Sequence, residues 1–359
     1  MKSITNLPGL GTCRLSAYAI AAFFPLALAL AQTPGTALST GPAAPAALDV
    51  KQGELGISDW LLRMHAASRG RAYIGTFVVS SGTNMSSAKI WHVCDGDVQM
   101  ERVESLSGAP RSTLRRNDQV LTFLPDSKTA FAEKRESLGL FPDLLKSADS
   151  SIGQFYSARQ TGVERVAGVE ADIVVLQPKD NLRFGYRVWT EKKSGLVVKL
   201  QTLETDGRVL EQAAFSELQL DAPVSMGKLV QMMENTDGYR VERRELTKTS
   251  AAAEGWMLKN PVPGFAPVSC YKRPAIGADS VGPQGTMQWI FADGLASVSL
   301  FLEVFDRRRH THEGAIALGA TNTLTRRVTD KTGDWWLTAV GEVPRSTLNA
   351  FSQGLERKK

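Results

Sequence analysis

The sequence predicts an α+β protein: a large curved antiparallel half-barrel with helices on its concave side, followed by a smaller α+β domain. Short β-rich runs separated by turn residues dominate from residue 73 onward. Helical spacing appears at 57–64, before the first strands, and again at 138–149, in the middle of them. A polar stretch within residues 223–254 then divides the strands into a longer and a shorter group.

Ile57, Trp60, Leu61 and Met64 recur at helical intervals behind Ser58 and Asp59, either of which can cap a first turn. Strands are expected at 73–80, 89–94, 98–106, 112–116, 120–124 and 129–134, punctuated by Asp95-Gly96-Asp97, Asn117-Asp118 and Pro125-Asp126. The helix over 138–149 places Leu140, Phe141, Leu144 and Leu145 on one side, with Pro142 tolerable near its start. Strands resume at 154–160, 162–166, 169–177, 184–191, 197–205 and 209–220. In the 184–191 run, Phe184, Tyr186 and Val188 take one face and Arg187 and Glu191 the other, with Trp189 among them, so one dry and one wet face are expected. A sheet wet outside with a helix inserted midway is best explained by a curved, partly closed barrel.

A short helix is expected at 226–233, and the polar run 234–250 reads as a linker. The second domain, 255–355, opens on Trp256 and the Pro261-Val262-Pro263-Gly264-Phe265 turn. Its strands are expected at 268–272, 286–292, 297–304, 321–328 and 335–340, with a closing helix at 344–354. The first domain covers 57–222 and the segment between them 223–254.

Of the 359 residues, 43% are hydrophobic and 22% charged, which excludes disordered, collagen-like and disulfide-framework classes. Lys2 and Arg14 precede an apolar stretch that ends in Ala29-Leu30-Ala31, the pattern a signal peptidase reads. A retained anchor is the rival, but the stretch is interrupted by Pro25 and is short for a span. Removing residues 1–31 leaves 40 basic against 37 acidic residues, so no nucleic-acid partner is demanded. Residues 32–56, rich in Ala, Pro, Thr, Ser and Gly, read as a flexible lead-in. Cys94 and Cys270 could pair once in an oxidising compartment, but two separate buried thiols fit their wide spacing better.

The sequence has no HExxH, CxxC, GxSxG or GxxxxGK[ST] motif, so no enzyme class, metal or cofactor is indicated. His310-Thr311-His312 continues Arg307-Arg308-Arg309 and reads as an exposed basic turn more readily than as a metal site. His65 and His92 read as structural. What remains is cavity and surface. Phe77, Leu121, Phe123, Phe131, Leu140, Phe141, Leu144 and Leu145 are candidate walls of an apolar hole for acyl chains, although a packed core would use the same side chains. Arg307, Arg308 and Arg309 are candidate docks for acidic peptide or lipid phosphate. In the pair Trp335-Trp336, one indole is expected in the core and the other in solvent, which makes Trp336 a candidate interface anchor.

Several stretches together resemble one family. His92-Val93-Cys94-Asp95-Gly96, Glu101-Arg102-Val103 and Gly108-Ala109-Pro110-Arg111 are similar to the N-terminal domain of the RseB/MucB regulators of the envelope-stress sigma factor. So are the run from Arg183 to Trp189 and the run from Asp206 to Gln212. Pro263-Gly264-Phe265, Lys272-Arg273-Pro274, Phe291-Ala292-Asp293-Gly294-Leu295 and Val340-Gly341-Glu342-Val343-Pro344 follow in the same order. A longer polar linker and Cys94 depart from the pattern, so neither is given a family role.

The resemblance implies a LolA-like first domain, no cofactor, and a periplasmic negative regulator. It also implies binding of the periplasmic segment of an RseA/MucA-like anti-sigma factor, which is shielded from regulated proteolysis. Lipopolysaccharide or lipoprotein acyl chains would displace it, and a homo-oligomer is compatible. The alternatives are a lipid or lipoprotein carrier of LolA type, which leaves the last 100 or so residues without a task, and a periplasmic hydrolase.

Overall fold

The computed structural model describes residues 55–134, 151–243, 246–273 and 285–357. The expected signal segment, most of the lead-in and the helix at 138–149 lie outside the described residues. Helix α1 (Ile57–Gly70) is followed by β1 (Tyr73–Ser81), β2 (Asn84–Asp95), β3 (Val98–Ser105), β4 (Ser112–Arg116), β5 (Gln119–Leu124) and β6 (Thr129–Lys134). A single turn α2 (Ile152–Phe155) leads into β7 (Tyr156–Val166), β8 (Val169–Pro178), β9 (Gly185–Glu191), β10 (Val197–Leu203) and β11 (Val209–Leu220). Helix α3 (Met226–Glu234) and the short strands β12 (Arg240–Arg243) and β13 (Thr247–Lys248) come next. The remainder is β14 (Trp256–Leu258), β15 (Ala266–Arg273), β16 (Thr286–Ala292), β17 (Ser297–Val304), β18 (Gly314–Leu318), β19 (Thr321–Asp330), β20 (Gly333–Gly341), α4 (Arg345–Gly354) and β21 (Leu355–Arg357).

The first sheet is open, curved and twelve-stranded, in the order β12-β6-β5-β4-β3-β2-β1-β11-β10-β9-β8-β7. Its hairpins follow the chain, except that β1 closes on β11 and brings the two meanders together. A bulge in the β1–β11 pairing falls between Thr76 and Phe77 and kinks the ladder there. The second sheet has seven strands, β13-β15-β16-β17-β20-β19-β18, with α4 packed on β19 and β20.

Strand register assigns the side chains of the first sheet to two faces, because directly opposed residues share a face and alternate residues do not. Tyr73, His92, Glu101 and Arg115 form one row across β1 to β4, and Ile90 and Val103 lie in the next row of the same face. Helix α1 packs here through Trp60, Leu61 and Met64, over Tyr73, Phe77, Ile90 and Phe215. Trp91, Leu114, Leu121 and Ala132 form a row on the opposite face, where α3 buries Leu229 among Met100, Leu114, Leu121 and Phe123. Helix α1 thus covers one face of the sheet, and α3, from the segment expected to connect the domains, covers the other.

The polar run 234–250 is more than a connection: Arg240–Arg243 pairs in parallel with β6, and Thr247–Lys248 pairs with β15. Tyr239 meets Phe123 edge-on at 5.0 Å, which anchors the first of these short strands. The expected wet face of β9 is also covered. Trp189 lies under the Lys199 ammonium at 4.1 Å and donates its indole N–H to Glu164, while Glu191 accepts the amides of Lys193 and Ser194. Polar partners thus seal a face that alternation alone reads as open.

Leu229 is the one fully buried side chain of α3, whereas Leu62 on α1 is exposed. Leu229→Ala is expected to lower unfolding stability by about 3 kcal/mol, and Leu62→Ala by no more than about 0.5 kcal/mol. Urea titrations of both variants check the contrast.

Candidate functional site

The two sheets meet around one buried cation. Arg183, in the loop before β9, donates from Nε to Asp293 Oδ2 at 2.8 Å across the junction, and both side chains are completely buried. Its remaining N–H groups reach Asp180 and the Pro263 carbonyl. The guanidinium lies over the rings of Phe155 and Phe265, at 4.4 and 4.9 Å from their centroids. Asp293 is equally well partnered: Oδ2 also accepts the Tyr156 hydroxyl at 3.1 Å, and Oδ1 accepts the amides of Leu295 and Ala296 at 3.0 and 2.8 Å. Burial, with Tyr186 and Asp293 nearby, holds the Tyr156 phenol well above the usual tyrosine range, so it remains a donor.

The Asp293 turn carries Leu295 into the core of the first sheet and Ala296 into that of the second. Thr347 of α4 adds a bond to the Leu182 carbonyl at 2.7 Å. Gly264 is required by this packing: its φ is +81°, and a Cβ would overlap the Arg183 guanidinium and the Phe155 ring.

A second contact lies at the ends of β1 and β11. Gly319, with φ of +60°, packs against Ser81 and Glu211 so closely that no side chain fits, and the Ala320 amide bonds the Glu211 carboxylate. Between these contacts opens a cleft of about 600 Å³ lined by Phe184, Gln201, Glu204, Arg208, Ala317 and Asn322 among others. Gln201 bridges Arg187 and Gln212 along its floor, at 3.2 and 2.6 Å. Such a lining suits an amphipathic peptide or other polar guest better than an acyl chain.

Among the described residues, the predicted walls of the apolar hole do not share one face of the sheet. Phe77 and Phe131 lie on the α1 face, Leu121 and Phe123 on the α3 face, because the intervening register places them at opposite parity. Phe77, Leu121 and Phe123 are buried core side chains. Leu140, Phe141, Leu144 and Leu145 lie outside the described residues.

The basic run divides as well. Arg307 and Arg308 are exposed, whereas Arg309 is tied to Glu303 at 2.9 Å and Asp306 at 3.5 Å. His310 is not an exposed turn residue: its ring stacks on Trp336 at 4.8 Å, and its two nitrogens meet the Asp306 amide and Glu303. That stack buries Trp336, which removes it as a free interface anchor, and Trp335 is packed under Arg357 at 3.9 Å. Among the described residues no His, Cys, Asp and Glu side chains cluster to hold a metal.

Cys94 and Cys270 are unpaired. Cys94 is only half-buried, and burial, with Glu254, pushes the Cys270 thiol up to about 11, which leaves it inert. His92 is structural, as expected: its Nδ1 meets the Arg71 carbonyl at 2.7 Å, its ring stacks on Tyr73, and burial lowers its pKa.

Spacing and composition give Arg183, Gly264 and Asp293 no role, yet each sits inside a stretch that carries the family resemblance. The MucB/RseB N-terminal domain matches residues 56–233 and the MucB/RseB C-terminal domain residues 250–356. The chain belongs to the MucB/RseB family.

The Sigma factor AlgU regulatory protein MucB of Pseudomonas aeruginosa is 28% identical over 291 residues, covering 81% of this chain and 87% of the relative. The Sigma-E factor regulatory protein RseB of Escherichia coli K12 is 20% identical over 297 residues, covering 82% and 89%. A crystal structure of MucB in complex with MucA(peri) superposes with a TM-score of 0.64 at 26% identity, covering 84% of this chain and 99% of that one. The Pseudomonas aeruginosa MucA/MucB complex gives 0.67 at the same identity and covers 84% and 99%. MucB/RseB is thus a family of regulatory binding proteins, and the Arg183 junction lies at the meeting of its two domains.

Arg183→Met is expected to cost about 3–5 kcal/mol because it leaves a buried carboxylate without its cation. The double variant Arg183→Met/Asp293→Asn should lose less than the sum of the single changes, with coupling of about 2 kcal/mol in a denaturation cycle. At the second contact, burial and Glu342 raise the Glu211 carboxyl, while the Ala320 amide opposes them. Folding therefore takes up protons at Glu211, so its contribution is complete below the ordinary glutamate pKa and is lost as pH rises through the raised value. Glu211→Gln is expected to raise the melting temperature at neutral pH, and the gain should vanish below about pH 4.

Proposed function

We propose that this protein is exported to the periplasm and acts there as a negative regulator of an envelope-stress sigma factor. It binds the periplasmic segment of a membrane anti-sigma factor, shields that segment from regulated proteolysis, and lets go when lipid-bearing stress molecules bind. The observation that carries the reading is the match of both family domains, together with a MucB–MucA(peri) complex that aligns over 99% of its MucB chain. The predicted signal segment supports export, since it combines basic residues, an apolar stretch and Ala29-Leu30-Ala31.

The physics of the fold is consistent with action by occupancy. A rigid junction holds the surfaces of two sheets at a fixed spacing, so a partner that spans them meets a preorganised site. Lipid can release that partner only through unequal affinity for the bound and free forms. The α3 face supplies a physical route: Met226, Val230 and Met233 cover the Leu121 and Phe123 side chains with flexible apolar groups. An acyl chain that displaces them gains up to about 0.8 kcal/mol per buried methylene.

The test uses the mature chain immobilised on resin, the purified periplasmic segment of a MucA-type anti-sigma factor, and added lipopolysaccharide. Retention of the segment followed by elution with lipopolysaccharide is expected. Absence of retention would overturn the regulatory reading, and retention indifferent to lipid would overturn the release step.

A further inference from the structure

Among the described residues the seven-stranded sheet ends on β18, which pairs with β19 alone. An edge strand of this kind presents a row of open amide and carbonyl groups. Natural edges are guarded by charge, proline or a bulge, and the outer edge of the first sheet follows that practice: β7 carries Arg159, Glu164, Arg165 and a bulge between Gln160 and Gly162. The five residues of β18, Gly314-Ala315-Ile316-Ala317-Leu318, carry none of these. Ile316 and Leu318 are instead exposed to 74% and 63%, and alternation puts them together on one face of the strand. An unguarded, apolar edge costs a soluble protein a risk of aggregation, which a binding role explains.

Both ends of β18 have chemistry of their own. The strand is entered from the loop that displays Arg307 and Arg308, the two arginines of that run whose side chains are exposed and outside its ion pairs. At the other end, Ala317 and Gly319 form a wall of the cleft that contains Glu204 and Arg208. A segment laid along β18 therefore has a cationic group at one end and an amphipathic pocket at the other.

We infer that β18 is a docking edge for an extended peptide segment, acidic at one end and alternating apolar and polar beyond it, which joins the second sheet as an eighth strand. The alternating apolar side chains lie beside Ile316 and Leu318, and the acidic end meets Arg307 and Arg308. This is β-strand addition: main-chain bonds supply affinity, and the arginines and alternating contacts supply direction and selectivity. It rests on the reading of the chain as a binder of a partner's periplasmic segment, and says how such a segment would be held.

The probe is a fluorescein-labelled peptide with three aspartates followed by alternating valine and threonine, titrated with the full mature chain by fluorescence anisotropy. Two further peptides carry N-methyl groups on one or the other alternate set of amides. Strand pairing predicts that one methylated peptide binds about tenfold more weakly, while the other stays within about twofold of the parent. Arg307→Ser/Arg308→Ser should weaken binding about fivefold at low salt, with the difference lost at high salt. Ile316→Lys should weaken it at least as much.

Equal behaviour of the two methylated peptides, or indifference to Ile316→Lys, would overturn the proposal. So would a dimer in sedimentation that Ile316→Lys dissolves, since a second copy would then fill the edge. Retention of the anti-sigma segment separates this dock from the regulatory role. Undiminished retention of it by the Ile316→Lys chain would remove β18 as its dock and leave the regulatory reading intact, whereas no retention by the parent chain would remove that reading itself.

Discussion

The buried pair Arg183–Asp293 is the interaction on which the arrangement of the two sheets depends. Burying a guanidinium and a carboxylate is expensive, and the expense is met only when every remaining donor and acceptor is satisfied. That condition is fulfilled here. Arg183 also reaches Asp180 and Pro263 and lies between Phe155 and Phe265, while Asp293 takes up Tyr156 and two amides of its own turn. A hydrophobic substitute could give comparable stability, but it would tolerate sliding of one sheet over the other. A bonded ion pair specifies one register, and that register sends Leu295 into the core of the first sheet.

The pair also explains the placement of several otherwise unrelated features. Gly264 must lack a side chain because the guanidinium occupies that space, and Phe184, the neighbour of Arg183, forms part of the cleft wall. The Gly319–Glu211 contact then closes the far side of the same cleft, with a carboxylate whose proton affinity is raised by burial and by Glu342. Folding favours the protonated form of that carboxyl, so the Gly319–Glu211 contact gains stability as pH falls through the raised value.

Local patterns in the sequence carried the strands and most helices because each depends on near neighbours. The runs at 112–116, 209–220, 286–292 and 297–304 coincide with observed strands, and the helix expected at 226–233 appears one residue longer. What alternation could not supply was which face of one strand matches which face of the next. A single hairpin register decides that Leu121 stands opposite Leu114, and so behind the sheet from Phe77. The short strands β12 and β13 were hidden for a related reason: Arg240–Arg243 has an ordinary polar composition, and only the exposed edge of β6 makes it a strand. Arg183 and Asp293 were legible as parts of resembling stretches but not as partners, since they lie 110 residues apart and neither has an unusual local setting.

The two faces of the first sheet differ in how readily they repack. The α1 face is filled by large rigid groups such as Trp60, Tyr73 and Phe215, and the Leu295 side chain from the other sheet reinforces it. The α3 face has a smaller core, closed by a nine-residue helix whose methionines can repack. Resistance to repacking is therefore least at α3. Helix α3 leads within a few residues to β12, and then to β13 at the edge of the second sheet. A displacement begun at Leu229 thus has a covalent path to both sheets, and the fixed junction gives that displacement something to act against.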